Sequence, residues 1–229
     1  MTVLLVVAKA PVAGQAKTRL CPPADHTQAA RVAAAALLDT LAAVRATPST
    51  IPVLAHTGRF AEAEHGAELG AALAGWHLLA QRGDTFADRL ANAHADAGAA
   101  FPGRAVLQIG MDTPQLRPAL LDTALRLLAE RGAVFGPALD GGWWALGLSD
   151  PGHADALRDV PMSTDDTGRR TLAALRRRGI RPASLPAQRD VDDWSAALAV
   201  AAELPGTRFA AAVGSVRNRL AIGQPRCAR

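Results

Sequence analysis

The chain has 229 residues, 49% of them hydrophobic, enough apolar material for one sizeable α/β domain; aromatics are only 4% and tyrosine is absent, so packing falls to Ala, Leu and Val. The formal charge of +4 would suit nucleic acid, but Arg208, Arg217, Arg219, Arg226 and Arg229 all follow Pro205 with no acid among them, and taking those five away leaves −1 for the rest. A basic stripe with interleaved aromatics is therefore missing, which excludes nucleic acid as a partner.

Strand-like and helix-like segments alternate along the chain. The continuous apolar run of residues 2–8 predicts a strand buried on both faces. His26 to Arg45 reads as a helix, with Leu37, Leu41 and Val44 on one face. Ile51 to Ala55 is a strand whose Pro52 points to an edge position or a strand start. Phe60 to Leu73 follows as a helix, then a short strand from Trp76 to Ala80, then a helix capped by Asp84 and running to about Ala100. Ala105 to Ile109 is a strand, and Pro118 opens a helix that stops near Gly132. Strands over residues 133–137 and 143–148 flank Asp140-Gly141-Gly142. A helix over 167–178, preceded by Asp165 and Asp166 as caps, a strand near 183–185 and a closing helix from Trp194 to Glu203 complete the pattern. Such alternation predicts a three-layer α/β/α Rossmann-like sandwich with a mostly parallel sheet. Residues 1–204 would form the domain. Residues 205–229 would be a basic C-terminal tail, solvated or partly disordered.

Other classes find little support. Cys21 and Cys227 are too few for a disulfide framework and too isolated for a metal site, and the pair suits a reducing, cytoplasmic setting. The N-terminal apolar run lacks a basic flank, so it does not read as a signal peptide. No stretch approaches the roughly 20 apolar residues of a membrane span. The six histidines lack ligand spacing. A G-x-S-x-G elbow and a Cys–His pairing are both missing, which argues against nucleophilic hydrolases.

The chemistry concentrates at strand ends. Lys9 and Lys17 are the only lysines among 25 basic residues. Both lie in the segment Lys9-Ala10-Pro11-Val12-Ala13-Gly14-Gln15-Ala16-Lys17-Thr18-Arg19-Leu20 that follows the first strand. Lysine is a compact point charge and arginine a planar fork, so a chain that otherwise uses arginine marks this loop as needing an ammonium. The loop is not a Walker A, because Ala16 stands where Gly must precede the Lys and Pro11 replaces the first Gly. No G-x-G-x-x-G follows the strand either. What remains is a phosphate cradle: backbone near Gly14 allows close approach, and Lys17 and Arg19 can neutralise charge developing at phosphorus. Asp112, just past a strand in Gly110-Met111-Asp112-Thr113-Pro114, is placed to hold Mg²⁺, its other reading being a turn or helix cap. Asp140-Gly141-Gly142 reads both as a tight turn and as a place for a ligand to approach backbone. Trp143 and Trp144 read as packing. Of Asp190, Asp192 and Asp193, one can complete a Mg²⁺ site, or all three can form a solvated turn capping the last helix.

In order along the chain, these motifs resemble a bacterial family of nucleotide-diphospho-sugar-transferase-like proteins, DUF2064. It sits in the glycosyltransferase-A superfamily and is similar to the molybdenum-cofactor and phospholactate nucleotidyltransferases. The opening loop Lys9-x-Pro11-x-x-Gly14-x-x-Lys17-Thr18-Arg19-Leu20 matches the family's own. Gln81-x-Gly83-Asp84 with Arg89-Leu90 resembles its Q-G-D-L-G-x-R-L, Gly110 to Pro114 its G-S-D-x-P, and Asp140-Gly141-Gly142-Trp143-Trp144 its D-G-G-Y-Y. Met162-Ser163-Thr164 with Thr171-Leu172 resembles its W-S-T…T-L, and Asp190-Val191-Asp192 its D-I-D-T. The likeness spans about residues 2–203. Departures are Thr85-Phe86 for Leu-Gly, the tryptophan pair for the tyrosines, and Met162 for tryptophan.

The resemblance implies that Lys9, Pro11, Gly14, Lys17, Thr18, Arg19, Gln81 and Asp84 form the nucleotide and phosphate site. By the same likeness Lys17, Arg19 and Asp112 would be catalytic, and Asp112 and Asp192 would hold Mg²⁺ or Mn²⁺. Asp140, Gly141, Gly142 and Trp143 would face the second substrate. Three functions fit. The first is a Mg²⁺-dependent nucleotidyltransferase that joins an NTP to a small phosphorylated acceptor and releases pyrophosphate. The second is a glycosyltransferase using an NDP-sugar, disfavoured by a lone Asp112 where a D-x-D pair is expected and by the basic opening loop. The third is a non-catalytic nucleotide-binding protein. A homo-oligomer is compatible with all three.

Overall fold

A computed structural model of the chain describes residues 1–223, with side chains described through Leu220. Seven strands form one sheet: β1 (Thr2–Lys9), β2 (Thr50–Thr57), β3 (His77–Ala80), β4 (Val106–Gly110), β5 (Ala133–Pro137), β6 (Trp143–Leu148) and β7 (Ala183–Ser184), in the order β3-β2-β1-β4-β6-β5-β7. Only β6 runs against its neighbours, pairing antiparallel with both β4 and β5. β1 to β4 and β5 to β7 pair in parallel. The middle six residues of β1 are all buried, as a strand covered on both faces requires.

The helices are α1 (His26–Arg45), α2 (Gly66–Ala72), α3 (Phe86–Ala100), α4 (Pro118–Arg131), α5 (Thr167–Arg177), α6 (Trp194–Glu203) and α7 (Arg208–Gly223). One sheet face carries Leu4, Val6, Leu107 and Ile109 and packs on α1 and α4 through Leu37, Leu41, Leu121 and Leu128. The other carries Val3, Leu5, Val53 and Val106 and packs on α3, α5 and the 3-10 helix Pro151–Leu157. The expected three-layer sandwich is thus formed. A further apolar cluster lies outside the sandwich, where Leu20, Val32, Val191, Val200, Phe209 and Val213 join the opening loop, α1, α6 and α7.

Local signals explain the boundaries and the departures from expectation. Asp25 closes a capping box with Gln28 at the start of α1, and Gly132, left-handed at φ 74, ends α4. β2 is interior, not an edge: β3 begins to pair only at Val53, so the missing N–H of Pro52 sits where no β3 partner exists. The helix expected over Phe60 to Leu73 divides into a 3-10 turn at Phe60–Glu62 and α2, separated by His65 in the left-handed region. Thr85, not Asp84, caps α3, because its hydroxyl and Asp88 complete the reciprocal capping box. The solvated tail expected after Pro205 is instead α7, amphipathic enough to bury Phe209, Val213 and Val216 against α1 and α6. Its first turn is tied down by Asp39, which accepts a 2.9 Å hydrogen bond from the Phe209 backbone N–H. Arg226, Cys227 and Arg229 lie outside the described residues.

Candidate phosphate and metal site

Strand order reverses between β1 and β4: β2 and β3 extend one way from β1, and β4 starts the other half. In open α/β sheets the carboxyl ends flanking such a reversal leave a crevice in which ligands bind. The loop after β1 and the segment after β4 both open into that crevice, which is where the basic loop and Asp112 lie.

The opening loop is built from turns. Val12 accepts hydrogen bonds from the backbone N–H groups of Gln15 and Ala16, and Gly14 at φ 74 turns the chain where solvent surrounds it. Lys17 itself is left-handed, φ 48 and ψ 40. For a residue with a Cβ that conformation costs roughly 1–2 kcal/mol. It is held from both sides, by the adjoining 3-10 turn that buries Leu20 and by the Lys17 side chain. The Nζ donates to Asp112 Oδ2 at 3.0 Å and to Asp192 Oδ1 at 2.7 Å, and only 16% of the side chain is exposed. Burial alone would lower the ammonium pKa, but the two carboxylates outweigh it and raise it above 10.5, so Lys17 is a fixed positive charge. Arg19, largely exposed, reaches Asp192 Oδ2 at 3.6 Å.

The two aspartates arrive by different routes. Asp112 folds back over Gly110, where an added Cβ would meet Asp112 Oδ1 at 2.6 Å. Asp192 is delivered by alternation: Val191 is 2% exposed in the outer apolar cluster, and its N–H donates to the Asp112 carbonyl at 2.9 Å. Val191 thus anchors a segment with half-buried Asp190 and Asp192 on either side. Asp193, the next residue, caps α6 through Ala196 N–H at 2.7 Å.

Asp140 joins this group. Its loop is stitched to the same segment, with Leu139 N–H donating to the Gln188 carbonyl and Gln188 N–H to that of Pro137. One ligand oxygen each from Asp140, Asp190 and Asp192 lie within 4.8 Å of one another. Burial, together with the Asp140, Asp112 and Asp192 charges, pushes the Asp190 pKa up to about 7. Asp192 is raised by its own burial, but Lys17 and Arg19 more than reverse this and hold it below the usual carboxylate range. Four carboxylates thus gather here, of which Asp112 and Asp192 pair with the buried ammonium and Asp192 also with the exposed guanidinium. An all-oxygen donor set with surplus negative charge fits a hard divalent cation such as Mg²⁺ or Mn²⁺. Asp190 is the member that sequence reasoning passed over in choosing Asp192. The alternation about a buried valine was the signal that would have found it.

Other residues singled out from sequence fall nearby or apart. Gln81 continues β3, and its amide nitrogen donates to the Ala8 and Ala55 carbonyls at 3.0 and 2.9 Å. Because both partners are acceptors, the amide must turn its N–H₂ toward them, which leaves its oxygen to face elsewhere. Lys9, at the end of β1, and Gly14 and Thr18 in the opening loop are exposed, and Pro11 is buried, its carbonyl accepting from Glu64 N–H at 3.0 Å. Asp84 is exposed after the Gln81 segment and stands outside the group formed by Asp140, Asp190 and Asp192.

The Asp140 loop is packed tightly. Asp140 Oδ1 accepts from Gly142 N–H at 2.8 Å, and the Gly141 carbonyl accepts from Gly168 N–H at 2.8 Å. Trp143 is half-buried against Phe135, with ring centres 6.4 Å apart, while Trp144 is core and donates its indole N–H to the Pro186 carbonyl at 3.0 Å.

This fold is that of the nucleotide-diphospho-sugar transferases. A provisionally named nucleotide-diphospho-sugar transferase from Desulfovibrio desulfuricans G20 superposes with a TM-score of 0.82 at 23% identity, over 97% of each chain. A cytidylyltransferase from Leptospira borgpetersenii gives 0.57 at 12% identity, over 100% of this chain and 99% of the other. The 4-diphosphocytidyl-2C-methyl-D-erythritol synthase of Anaerococcus prevotii gives 0.54 at 10%, over 89% and 96%. At these identities the likeness is one of fold. The chain belongs to the DUF2064 family, described as an uncharacterized protein conserved in bacteria, whose model matches residues 40–164. That span contains Gln81, Asp112 and Asp140 but neither Lys17 nor Asp192. No curated protein matches the chain. No helix among the described residues is long and apolar enough to cross a membrane.

Proposed function

We propose that the protein is a nucleotidyltransferase that moves a nucleoside monophosphate from an NTP to a small phosphorylated acceptor and releases pyrophosphate. The observation that carries this reading is the Lys17 ammonium, buried between Asp112 and Asp192 at 3.0 and 2.7 Å in the crevice between β1 and β4. A permanently charged ammonium beside a carboxylate cluster suits binding and activating a polyphosphate. Asp192 and Asp190, with Asp112 and Asp140 beside them, would hold a magnesium or manganese ion, which supplies neutralisation of phosphate charge when bound.

The chain's own residues account for the rest. Lys17 places positive charge on the phosphoryl group under attack, and Arg19 flanks it from the exposed side. Turning backbone at Gly14 lets the phosphates approach the opening loop. The amide oxygen of Gln81 accepts an N–H from the nucleobase. The loop Asp140-Gly141-Gly142 borders the space for the acceptor, whose oxygen attacks the α-phosphorus as the bond to the β-phosphate oxygen breaks.

A glycosyltransferase using an NDP-sugar would place the same diphosphate on the same loop, and one assay separates the two. Purified protein is incubated with Mg²⁺, each NTP and a set of phosphorylated acceptors, and pyrophosphate is measured; a parallel set of NDP-sugars is scored for free NDP. Pyrophosphate release supports the proposal, NDP release replaces it with sugar transfer, and nucleotide binding without either product leaves a binding protein.

A further inference from the structure

Lys17 stands where a cation bound by Asp112 and Asp192 would stand. Its Nζ bridges the two carboxylates at 3.0 and 2.7 Å, and Asp192 also belongs to the oxygen cluster with Asp140 and Asp190. An ion held by that cluster would share Asp192 with the ammonium, and two like charges on one carboxylate repel. We propose that Lys17 is a displaceable internal cation. It neutralises Asp112 and Asp192 until a phosphate-bearing substrate draws its ammonium away, so that divalent metal binds more tightly with that substrate than without it, where the metal itself must expel the ammonium. This rests on the phosphate-binding role given to the opening loop above.

The residue type and its setting suit such movement. Lysine is a point charge on a flexible stem, whereas arginine's fork would lock onto the carboxylates. The chain spends only two of its 25 basic residues on lysine. The Lys17 side chain keeps 16% of its surface exposed, and Thr18 and Arg19, which follow it, are exposed, so it has an open side toward which to move. Leu20, fully buried, keeps the loop itself in place. Once phosphates offer the ammonium a new partner, Asp112 and Asp192 are freed for the metal. By linkage, metal and phosphate then bind with reciprocal positive coupling.

The scarcity of lysine provides the test. The intact protein is acetylated with acetic anhydride, digested, and the labelling rate of Lys17 read by mass spectrometry against exposed Lys9 as internal reference, with and without saturating Mn²⁺. Metal should displace the ammonium and raise Lys17 labelling at least ~10-fold relative to Lys9; unchanged or slower labelling on Mn²⁺ binding overturns the proposal. In parallel, free Mn²⁺ is followed by electron paramagnetic resonance for the wild type and Lys17→Met. The variant should bind Mn²⁺ at least ~10-fold more tightly without nucleotide; equal or weaker binding, or binding by neither protein, overturns it. If the variant does not fold, the wild-type labelling decides alone. Neither measurement needs turnover. Pyrophosphate release with metal-insensitive Lys17 would retire this inference and keep the function, and displacement without pyrophosphate release would do the reverse.

Discussion

Lys17 and Asp192 are 175 positions apart in the chain, and their side chains meet at 2.7 Å. The contact ties the loop after the first strand to the segment after the last. Asp112 completes it from the middle of the chain, 95 positions from Lys17. Lys17→Ala should therefore cut pyrophosphate release at least ~100-fold, the loss typical when a group stabilising transition-state charge is removed. Steady-state kinetics under saturating NTP would check this, and an equally active variant would remove the proposed mechanism.

Gln81 makes a separable contribution. Replacing it with Leu removes the donors to the Ala8 and Ala55 carbonyls and the amide oxygen. Nucleotide affinity should fall by up to about tenfold, the worth of one ordinary hydrogen bond. Direct nucleotide titration of Gln81→Leu would measure it, and the change should be smaller than that of Lys17→Ala in kcat.

Gly141 is fixed by both conformation and space. Its φ is +90, and a Cβ there would sit 1.8 Å from the Asp165 carbonyl oxygen. Gly141→Ala must shift the Asp140 loop away from the N-terminus of α5, at a cost of about 1–3 kcal/mol. Gly142→Ala, whose nearest contact would be the Asp140 side chain at 3.1 Å, should cost less. Urea denaturation of the two variants provides the comparison.

His94 is fully buried on α3 with neither ring nitrogen hydrogen-bonded, and burial pushes its pKa down to about 3. In the unfolded chain it titrates near 6.5. Between those values the unfolded state binds a proton that the folded state refuses, so stability falls as pH drops from about 6.5 toward 3. The slope from this one group is at most about 1.4 kcal/mol per pH unit. His94→Leu should flatten the profile by that amount relative to wild type. Urea midpoints at pH 7, 6 and 5 would reveal it, and parallel profiles would refute it.

Phe209 is fully buried where α7 meets α1 and α6, in the same cluster as Leu20 and Val191. Phe209→Ala should destabilise the protein by about 3–5 kcal/mol. Because Leu20 and Val191 brace the Lys17 loop and the Asp190–Asp192 segment, a fully folded variant at low temperature should also lose activity. Thermal melts paired with the pyrophosphate assay would test both effects.

Much of the fold is legible in the sequence. The apolar run of β1, the 20 residues of α1 and the 10 of α6 follow from local periodicity, caps and stops, and the structure reproduces their placement. The alternation itself dictates a parallel sheet, and the isolated lysine pair marks the opening loop. The structure departs from that reading where local signals compete. Asp84 reads as the cap of α3, but the reciprocal bond with Asp88 gives that place to Thr85. The segment after Pro205 looked like a charged tail because its apolar residues are spaced for a helix that needs a partner surface, and that surface is built by α1 and α6.

Sequence alone determined which residues carry charge and which segments become strands and helices, because those depend on side-chain chemistry and on neighbours three or four positions away. Only the tertiary structure decided that Lys17, Asp112 and Asp192 meet and that Asp140 and Asp190 join them. Such encounters are set by the strand order reversing between β1 and β4 and by Val191 being buried under α6 and α7, long-range packing that no local pattern encodes.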